Sequence, residues 1–296
     1  MLKLAAIDIG SNAVRMQVSR VIDQDGTLLL KKMEYVRFPL RLGHDVFNDN
    51  RIGEINTSKF VKLMEAFKIL IDLYETDDYM ALATSAMREA SNGREVAALV
   101  KEKTGLEIRI IDGDEEADLI NRGLQAYLTD RTYLHIDVGG GSTELNLYIR
   151  KEKVASRSFP IGSVRSLEKH DNPESWEEMR SWVLNHLKRR HSKVISIGTG
   201  GNINKLSDLA GKKPGKTIGI DKLEEVQQYI GQFSQHDRIN KLELNPDRAD
   251  VILPASDIYL SVMRWADSDR ILVPEVGLKD GMMRSMLDKH LSESQE

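Results

Sequence analysis

The sequence lacks cysteine, long apolar runs and any surplus of positive charge. Without cysteine, a disulfide scaffold, a thiolate metal site and a cysteine nucleophile are all excluded. No apolar run approaches the roughly 20 residues that a membrane-spanning helix needs. The N-terminal stretch becomes acidic at Asp8, too early for a signal peptide. These absences predict a soluble, cytoplasmic protein with no membrane partner.

The charge balance argues against a nucleic-acid partner. The chain has 42 Lys+Arg against 46 Asp+Glu and a net charge of -4, whereas affinity for a phosphate backbone needs surplus positive charge. A basic run at 188–191 is better explained as a helix C-terminus, where cations interact favourably with the helix dipole. With 296 residues, 41% of them hydrophobic, the chain is long enough for two folded domains.

Hydrophobic patterning predicts two α/β units in succession. The first has three strands and then alternates helices with strands: strands 4–9, 14–22 and 27–38, helix 58–74, strand 79–83, helix 95–103, strand 106–111 and helix 115–127. The second begins again with three strands: 132–138, 145–149 and 154–159, then helix 176–190, strand 193–197, helix 248–266, strand 270–273 and helix 278–290.

An internal repeat supports this division. Ile7-Asp8-Ile9-Gly10 returns 129 residues later as Ile136-Asp137-Val138-Gly139. We assign residues 1–122 to the first domain and 123–296 to the second. Alternatively, the closing helix 278–290 packs back onto the first domain. Two such units would bind a ligand in a cleft between them.

The second copy of the repeat has the composition of a phosphate and metal site. Asp137 and Glu144 bracket Gly139-Gly140-Gly141, which is followed by Ser142 and Thr143. Glycines let the backbone approach an anion closely, and consecutive N–H groups can form a cradle for it. The two carboxylates are hard oxygen ligands suited to Mg²⁺. The alternative is a hairpin turn whose glycines serve only its geometry.

Two further turns have weaker signals. The first copy, from Asp8 to Arg15, offers a similar loop through Ser11 and Asn12, unless it is a tight turn with Asn12 in a left-handed conformation. A third glycine turn, with Gly200 and Gly201, stands where a strand meets a helix whose N-terminus could receive an anion. An ordinary turn explains it equally well.

Two helix starts carry candidate catalytic groups. Residues 84–90 contain hydroxyl side chains and Arg88, and these groups together would bind a phosphate. The alternative is the start of a capped helix whose arginine is solvated. Residues 113–118 place several acids in a first helical turn, where the helix dipole alone explains them. One of them could instead activate water as a general base.

The seven histidines are scattered without the spacing of a zinc site. Packing or solvated roles are therefore expected for all of them.

Taken together, these motifs resemble those of the Ppx/GppA family of exopolyphosphatases and guanosine pentaphosphate phosphohydrolases. They cover nearly the whole chain in the family's order: A-I-D-I-G-S-N at Ala6, T-S-A-M-R-E-A at Thr84, G-D-E-E-A-D-L-I at Gly113, I-D-V-G-G-G-S-T-E-L at Ile136, G-T-G-G at Gly198, R-A-D-V-I-L-P-A at Arg248 and G-L-K-D-G-M at Gly277. The resemblance implies an α/β fold of the actin-like, acetate and sugar kinase/Hsp70 superfamily. Such proteins have two ribonuclease-H-like domains with an inter-domain cleft.

The resemblance also implies a role for individual residues. Glu116 matches the family's catalytic glutamate, which replaces the helix-dipole explanation, and Arg88 matches an arginine that clamps the substrate. Asp137 and Glu144 match carboxylates tied to Mg²⁺, and Asp8 is a third candidate ligand. The implied substrate-binding groups lie in the three loops: Ser11, Asn12, Arg15, Gly139, Gly140, Gly141, Ser142, Thr143, Gly200 and Gly201.

The chain departs from the family's pattern in three places. Ala13 and Asn202 stand where many members have a hydroxyl residue, which removes donors from the first and third loops. The C-terminal helical domains of long members, including an HD-type module, have no counterpart before Glu296. We therefore expect short polyphosphate chains to be favoured. Family habit indicates a homodimer.

The leading hypothesis is a Mg²⁺-dependent exopolyphosphatase that releases orthophosphate from the end of inorganic polyphosphate; a monovalent cation is a further candidate cofactor. Within the same chemistry, guanosine pentaphosphate is the alternative substrate. A phosphotransferase of the same superfamily would need a nucleotide site and an acceptor pocket. A non-catalytic sensor of polyphosphate or of a guanosine alarmone would bind without turnover.

Overall fold

The computed structural model describes residues 1–187 and 193–293, so the basic run predicted at 188–191 lies outside the described residues. The chain divides into two compact units. One comprises Met1–Gly123 and the segment from Gly277 onward, and the other comprises Leu124–Val276. In the described parts of the chain, no helix is both long and apolar enough to cross a membrane.

The first unit is built on a five-stranded mixed sheet. Its strands are β1 (Lys3–Ile9), β2 (Val14–Gln24), β3 (Thr27–Phe38), β4 (Asp78–Ala83) and β5 (Arg109–Ile110), in the order β3-β2-β1-β4-β5. β1, β2 and β3 are antiparallel to one another in turn, whereas β4 and β5 are parallel to β1. Its helices are α1 (Leu42–Asp49), α2 (Glu54–Tyr74), α3 (Ser85–Glu89), α4 (Gly93–Thr104) and α5 (Gly113–Leu124).

The second unit is built on a six-stranded mixed sheet. Its strands are β6 (Thr132–Val138), β7 (Thr143–Ile149), β8 (Glu152–Phe159), β9 (Val194–Thr199), β10 (Lys216–Gly219) and β11 (Arg270–Val273), in the order β10-β11-β9-β6-β7-β8. Its helices are α6 (Ser163–Leu167), α7 (Pro173–Leu187), α8 (Gly201–Leu209), α9 (Ile220–Gly231), α10 (Gln235–Asn240), α11 (Pro246–Ala249) and α12 (Ile252–Trp265).

The predicted repeat is a repeat of structure. In each unit three antiparallel strands are followed by two parallel strands on the other side of the first one, which is the ribonuclease-H-like arrangement. The second unit adds β10, which is antiparallel to β11 at the edge of the sheet. The turn after the first strand closes with the same hydrogen bond in both units. The Gly10 N–H donates to the Ala13 carbonyl over 3.2 Å, and the Gly139 N–H donates to the Ser142 carbonyl over 2.9 Å. The expected pair of α/β domains is confirmed.

The core of the first unit follows from the pattern of apolar residues. β1 is buried along its length, as expected for a central strand that is covered on both faces. α2 buries Phe60, Met64, Phe67 and Ile71, which recur three or four residues apart and therefore share one face of the helix. The predicted helix 58–74 thus exists and begins four residues earlier, at Glu54.

The long helix predicted over 248–266 is two helices, α11 and α12. Pro254 explains the break, because it has no N–H to donate to the carbonyl of Asp250 four residues earlier. α12 then supplies much of the core of the second unit, with Ile258, Tyr259 and Val262 fully buried.

The closing helix, α13 (Leu278–Glu293), packs on β1 and β4 of the first unit. Its backbone at Gly281 lies so close to α5 that a Cβ there would collide with the carbonyl oxygen of Leu119. The second unit therefore ends at Val276, and α13 belongs to the first unit.

Replacement of Gly281 by alanine tests this packing. Glycine to alanine inside a helix normally stabilises by about 0.5–1 kcal/mol, but here the overpacking should destabilise by about 1–3 kcal/mol. Gly231→Ala is the matched control, since Gly231 is also a helical residue, the last of α9, and has no neighbouring atom within 4 Å of an added Cβ. Urea unfolding of the two variants should move in opposite directions; an equal response would contradict the packing described.

Candidate functional site

In the first unit, the carboxyl ends of three parallel strands meet at one edge of the sheet. The ladder continues past the strands themselves, with the Thr84 N–H donating to the Ile9 carbonyl over 3.1 Å and the Ile111 N–H donating to the Ala83 carbonyl over 3.0 Å. This edge therefore carries the first loop, the start of α3 and the start of α5. The sequence motifs around Ser11, Arg88 and Glu116 are brought together there.

Asp8 faces an arginine across the hairpin. The strand register places it directly opposite Arg15, and an Arg15 guanidinium nitrogen lies 2.8 Å from Asp8 Oδ2. Both side chains are largely buried, so the charge of the carboxylate is neutralised within the protein.

The first loop is held by α1 and α3. Ser11 is buried, and its Oγ lies 2.8 Å from Ser85 Oγ at the start of α3. The backbone N–H groups of Gly43 and Arg41 donate to the carbonyls of Ser11 and Asn12 over 2.8 and 2.9 Å. The carbonyl groups of the loop are thereby turned towards the α1 segment.

Arg88 and Glu116 are positioned by the same strand end. Arg88 Nη1 donates to the carbonyl of Ile111 over 2.7 Å, which ties α3 to the segment that leads into α5. Asp112 caps α5, with its Oδ1 accepting from the Glu115 N–H over 2.8 Å. The Glu115 carboxylate forms an ion pair with Arg109. Glu116 is half-buried in the first turn of the helix.

The equivalent hairpin of the second unit has a different charge pattern. Asp137 lies directly opposite Glu144, so two carboxylates are cross-strand neighbours on one face of the sheet. In the repeat, Asp137 corresponds to Asp8 and Glu144 corresponds to Arg15, each 129 residues on. The second site is therefore acidic where the first contains an ion pair.

Hydroxyl groups hold Glu144 in place. Its Oε1 accepts hydrogen bonds from Ser142 Oγ over 2.6 Å and from Ser158 Oγ over 2.8 Å, and only 3% of the residue is exposed. Thr143 Oγ1 donates to the Ile161 carbonyl over 2.6 Å. The hydroxyl protons of Ser142 and Thr143, which were predicted to bind substrate, are thus engaged inside the protein.

The glycine loop presents its N–H groups because α6 binds its carbonyls. The N–H groups of Ser163 and Val164 donate to the carbonyls of Gly139 and Gly140 over 2.9 and 2.8 Å, and Arg165 Nε donates to the Gly141 carbonyl over 2.8 Å. In a trans peptide the N–H points opposite to the C=O. The N–H groups of residues 140–142 therefore point away from α6, as a cradle for an anion requires.

This arrangement depends on glycine at position 162, just before α6. A Cβ there would lie 2.5 Å from both the Gly140 oxygen and the Gly141 carbonyl carbon. Backbone atoms cannot give way as a flexible side chain can, so any larger residue would displace the loop.

We expect Gly162→Ala to disturb the loop while leaving the fold intact. Because the N–H groups are displaced, calorimetry should show that tripolyphosphate binds roughly tenfold more weakly. The loss of one hydrogen bond to a charged group has an effect of this size. Gly219→Ala is the matched control, because Gly219 also precedes a helix of this unit and the nearest atom to an added Cβ is 4.0 Å away. Unchanged affinity in Gly162→Ala would contradict the assignment of the loop.

The third glycine turn lies beside Asp137. Gly200 has a φ of +110°, which disfavours any residue with a side chain, and a Cβ there would lie 3.3 Å from Asp137 Oδ1. Gly201 begins α8, and Asn202 Nδ2 lies 3.5 Å from Ser163 Oγ. The turn and the glycine loop therefore adjoin within the second unit.

Tyr259 of α12 braces this turn. Its hydroxyl donates to the Thr199 carbonyl and accepts from the Val138 N–H over 3.3 Å. Burial raises the pKa of Tyr259 well above its ordinary value, and the charges of Asp137 and then Glu144 raise it further. The tyrosine therefore remains protonated, and both carboxylates act on the same buried hydroxyl.

Asp137 and Glu144 are the residues of this unit that could hold a magnesium ion. In the described ranges 1–187 and 193–293, no group of three or more His, Cys, Asp or Glu residues could hold a metal. Mg²⁺ binds proteins through one or two carboxylates and completes its shell with water and substrate phosphates. Asp137 and Glu144 supply that number of hard oxygen ligands from fixed positions on adjacent strands.

Several residues that shape the site were not predicted from the sequence. These are Gly162, Ser163, Arg165 and Tyr259. Tyr259 was included in a predicted helix, but its polar tip inside an apolar stretch was a usable signal, since a buried tyrosine hydroxyl needs a partner. The three residues around α6 could not be identified, because nothing local shows which carbonyls they contact.

Fold and site together define a two-unit ribonuclease-H-like protein whose second unit has a glycine loop with its N–H groups turned outward from α6. The chain belongs to the Ppx/GppA phosphatase family, whose model matches residues 21–290.

Curated relatives agree with this assignment. A bifunctional 3-dehydroquinate synthase/phosphatase of Fusobacterium nucleatum is 28% identical over 96% of this chain, but the chain spans only 46% of that relative's length. Exopolyphosphatase 1 of Mycobacterium tuberculosis is 23% identical, with 97% of this chain and 89% of that protein covered.

Solved structures confirm the fold. The Ppx/GppA family member of Aquifex aeolicus has a TM-score of 0.75 at 24% identity, with 98% of both chains covered. An exopolyphosphatase of Cytophaga hutchinsonii has a TM-score of 0.82 at 21% identity, with 97% of this chain and 98% of that chain covered.

Proposed function

We propose that this chain is a Mg²⁺-dependent exopolyphosphatase that hydrolyses the terminal phosphoryl group of short inorganic polyphosphate. The observation that carries the proposal is the row of N–H groups at residues 140–142 beside the acidic pair Asp137 and Glu144. Backbone donors and a divalent ion are the groups that stabilise charge on a transferring phosphoryl group. Exopolyphosphatases among the relatives support the choice of substrate.

In this mechanism, Glu116 orients the attacking water and accepts its proton. The water oxygen bonds to the terminal phosphorus, the bridging P–O bond breaks, and the shortened polyphosphate departs with the bonding electrons. In the first unit Arg88 would hold phosphate oxygens, and in the second unit the N–H groups of the glycine loop would do so, because phosphoryl transfer depends mostly on positioning and electrostatics. Bound Mg²⁺ would neutralise negative charge on the phosphates.

The two hairpins are proposed to divide the work. Asp137 and Glu144 would hold the metal, whereas Asp8 is engaged by Arg15 and would not. With its carbonyls turned towards α1, the first loop would contact phosphate through Ser11, Asn12 and Arg15, and Gly200 and Gly201 would contact it at the start of α8.

Guanosine pentaphosphate remains the alternative substrate, because its terminal 5′-phosphate would be hydrolysed by the same groups. Phosphate release should be compared for tripolyphosphate, long-chain polyphosphate and guanosine pentaphosphate at equal concentrations. Fastest release from tripolyphosphate would support the proposal. A preference for guanosine pentaphosphate would replace the substrate, and binding without release would indicate a sensor.

Glu116→Gln should lower kcat for phosphate release by about 10²–10⁴-fold, the usual contribution of a general base. Glu115→Gln is the control, since it changes the preceding acid of the same helical turn, whose partner is Arg109. Thermal unfolding of both variants should be recorded alongside the kinetics. Full activity in Glu116→Gln would overturn the assignment of the base.

Asp137→Asn and Glu144→Gln should each weaken binding of Mg²⁺ or Mn²⁺ by at least roughly tenfold, because each removes a charged oxygen ligand. Calorimetry and the paramagnetic signal of free Mn²⁺ measure this without turnover. Asp8→Asn tests the division between hairpins and should leave the metal affinity nearly unchanged. Glu152→Gln, an exposed acid at the start of β8, is the control.

A further inference from the structure

A second polar row lies next to the carboxylate row in the sheet of the second unit. The row nearest the glycine loop is formed by Thr199, Asp137, Glu144 and Ser158, which are paired across β9, β6, β7 and β8. The second row lies on the same face of β6, β7 and β8, two residues further from the glycine loop. In it His135 lies opposite Asn146, and Asn146 lies opposite Ser156. His135 and Asn146 are completely buried.

Hydrogen bonds connect the second row into a chain. Ser156 Oγ donates to Asn146 Oδ1 over 2.7 Å, and Asn146 Nδ2 lies 3.1 Å from His135 Nδ1. His135 Nε2 then lies 2.8 Å from Thr199 Oγ1, which belongs to the first row. The chain crosses four adjacent strands and ends at the residue before Gly200.

The chemistry of the groups sets the direction of this chain. An amide Nδ2 can only donate, so His135 Nδ1 must accept and the ring proton resides on Nε2. His135 Nε2–H therefore donates to Thr199 Oγ1.

Thr199 is consequently held at two points. His135 binds its side chain, and the Tyr259 hydroxyl donates to its carbonyl. The next residue, Gly200, has a φ of +110° and lies beside Asp137 Oδ1. Small movements of Thr199 would thus displace both the Gly200 turn and the surroundings of the Asp137 carboxylate.

We propose that His135 is a positioning residue that, through Thr199, holds the Gly200 turn in place beside Asp137. The structural role of His135 does not depend on the proposed function; only its effect on turnover rests on that function. A buried imidazole is not required for packing alone, because an apolar side chain would fill the same space with no polar group to satisfy. The observation that favours positioning is that the chain ends on the turn and not within the core.

Three substitutions separate positioning from packing. Thr199→Val keeps the shape but removes the acceptor, His135→Gln keeps one donor and one acceptor, and Ser156→Ala shortens the far end of the chain. Thr199→Val should lower kcat/KM for tripolyphosphate roughly tenfold, the factor that one lost buried hydrogen bond amounts to. His135→Gln should retain most of the activity, and Ser156→Ala should retain it within about twofold despite a similar loss of stability.

A double mutant tests whether the two residues act as one unit. His135→Leu combined with Thr199→Val should be no slower than the worse single variant, because both remove the same contact. Multiplicative effects, or an equal loss of activity in Ser156→Ala at matched thermal stability, would overturn positioning in favour of packing.

Two measurements do not depend on turnover. Amide hydrogen exchange at residues 200–203 should be faster in Thr199→Val and unchanged in Ser156→Ala. In the wild-type protein, ¹⁵N shifts of the His135 ring should show Nε2 as the protonated nitrogen and Nδ1 as the accepting one. Failure of these signatures would overturn the positioning role, whereas absence of phosphate release from the wild-type protein would overturn only the proposed function.

Discussion

The candidate site depends on hydrogen bonds between the glycine loop and α6. Because Ser163, Val164 and Arg165 bind the carbonyls of residues 139–141, the peptide N–H groups must face the opposite way. Gly162 permits this approach, since any Cβ would meet the loop backbone. The proposed anion cradle is therefore a product of two backbone segments that lie about twenty residues apart in the chain.

The internal repeat shows how one hairpin geometry serves two kinds of chemistry. Both units pair an aspartate at the end of the first strand with a residue at the start of the second, and both close the turn with the same hydrogen bond. Arg15 makes the first pair neutral, and Glu144 makes the second pair doubly acidic. The residue at this position, arginine in one hairpin and glutamate in the other, decides whether the aspartate faces a cation or a second carboxylate.

Much of the fold was predictable from the sequence, and the features that were not predicted have physical causes. The two α/β units and the repeat follow from alternating and helical periodicity, which local sequence encodes directly. α1, α6, β10, α9 and α10 were not predicted; all but α9 have eight residues or fewer, which leaves little room for a periodic pattern. The hydroxyls of Ser142 and Thr143 were predicted to bind substrate, but Ser142 donates to the nearby Glu144 carboxylate and Thr143 donates to the carbonyl of Ile161, a partner distant in sequence. His135 was dismissed for lack of metal-ligand spacing, although its two-residue separation from Asp137 places both on one face of the sheet.

A net charge of -4 is compatible with a polyanionic substrate because the groups assigned to bind it are mostly uncharged. Backbone N–H groups carry partial positive charge that no count of lysine and arginine includes. The carboxylates that lower the net charge include Asp137 and Glu144, whose negative charge would be offset when a divalent ion binds. A protein that grips only the end of a chain therefore needs local positive potential at that end, and surplus charge over the whole surface would add non-specific affinity instead.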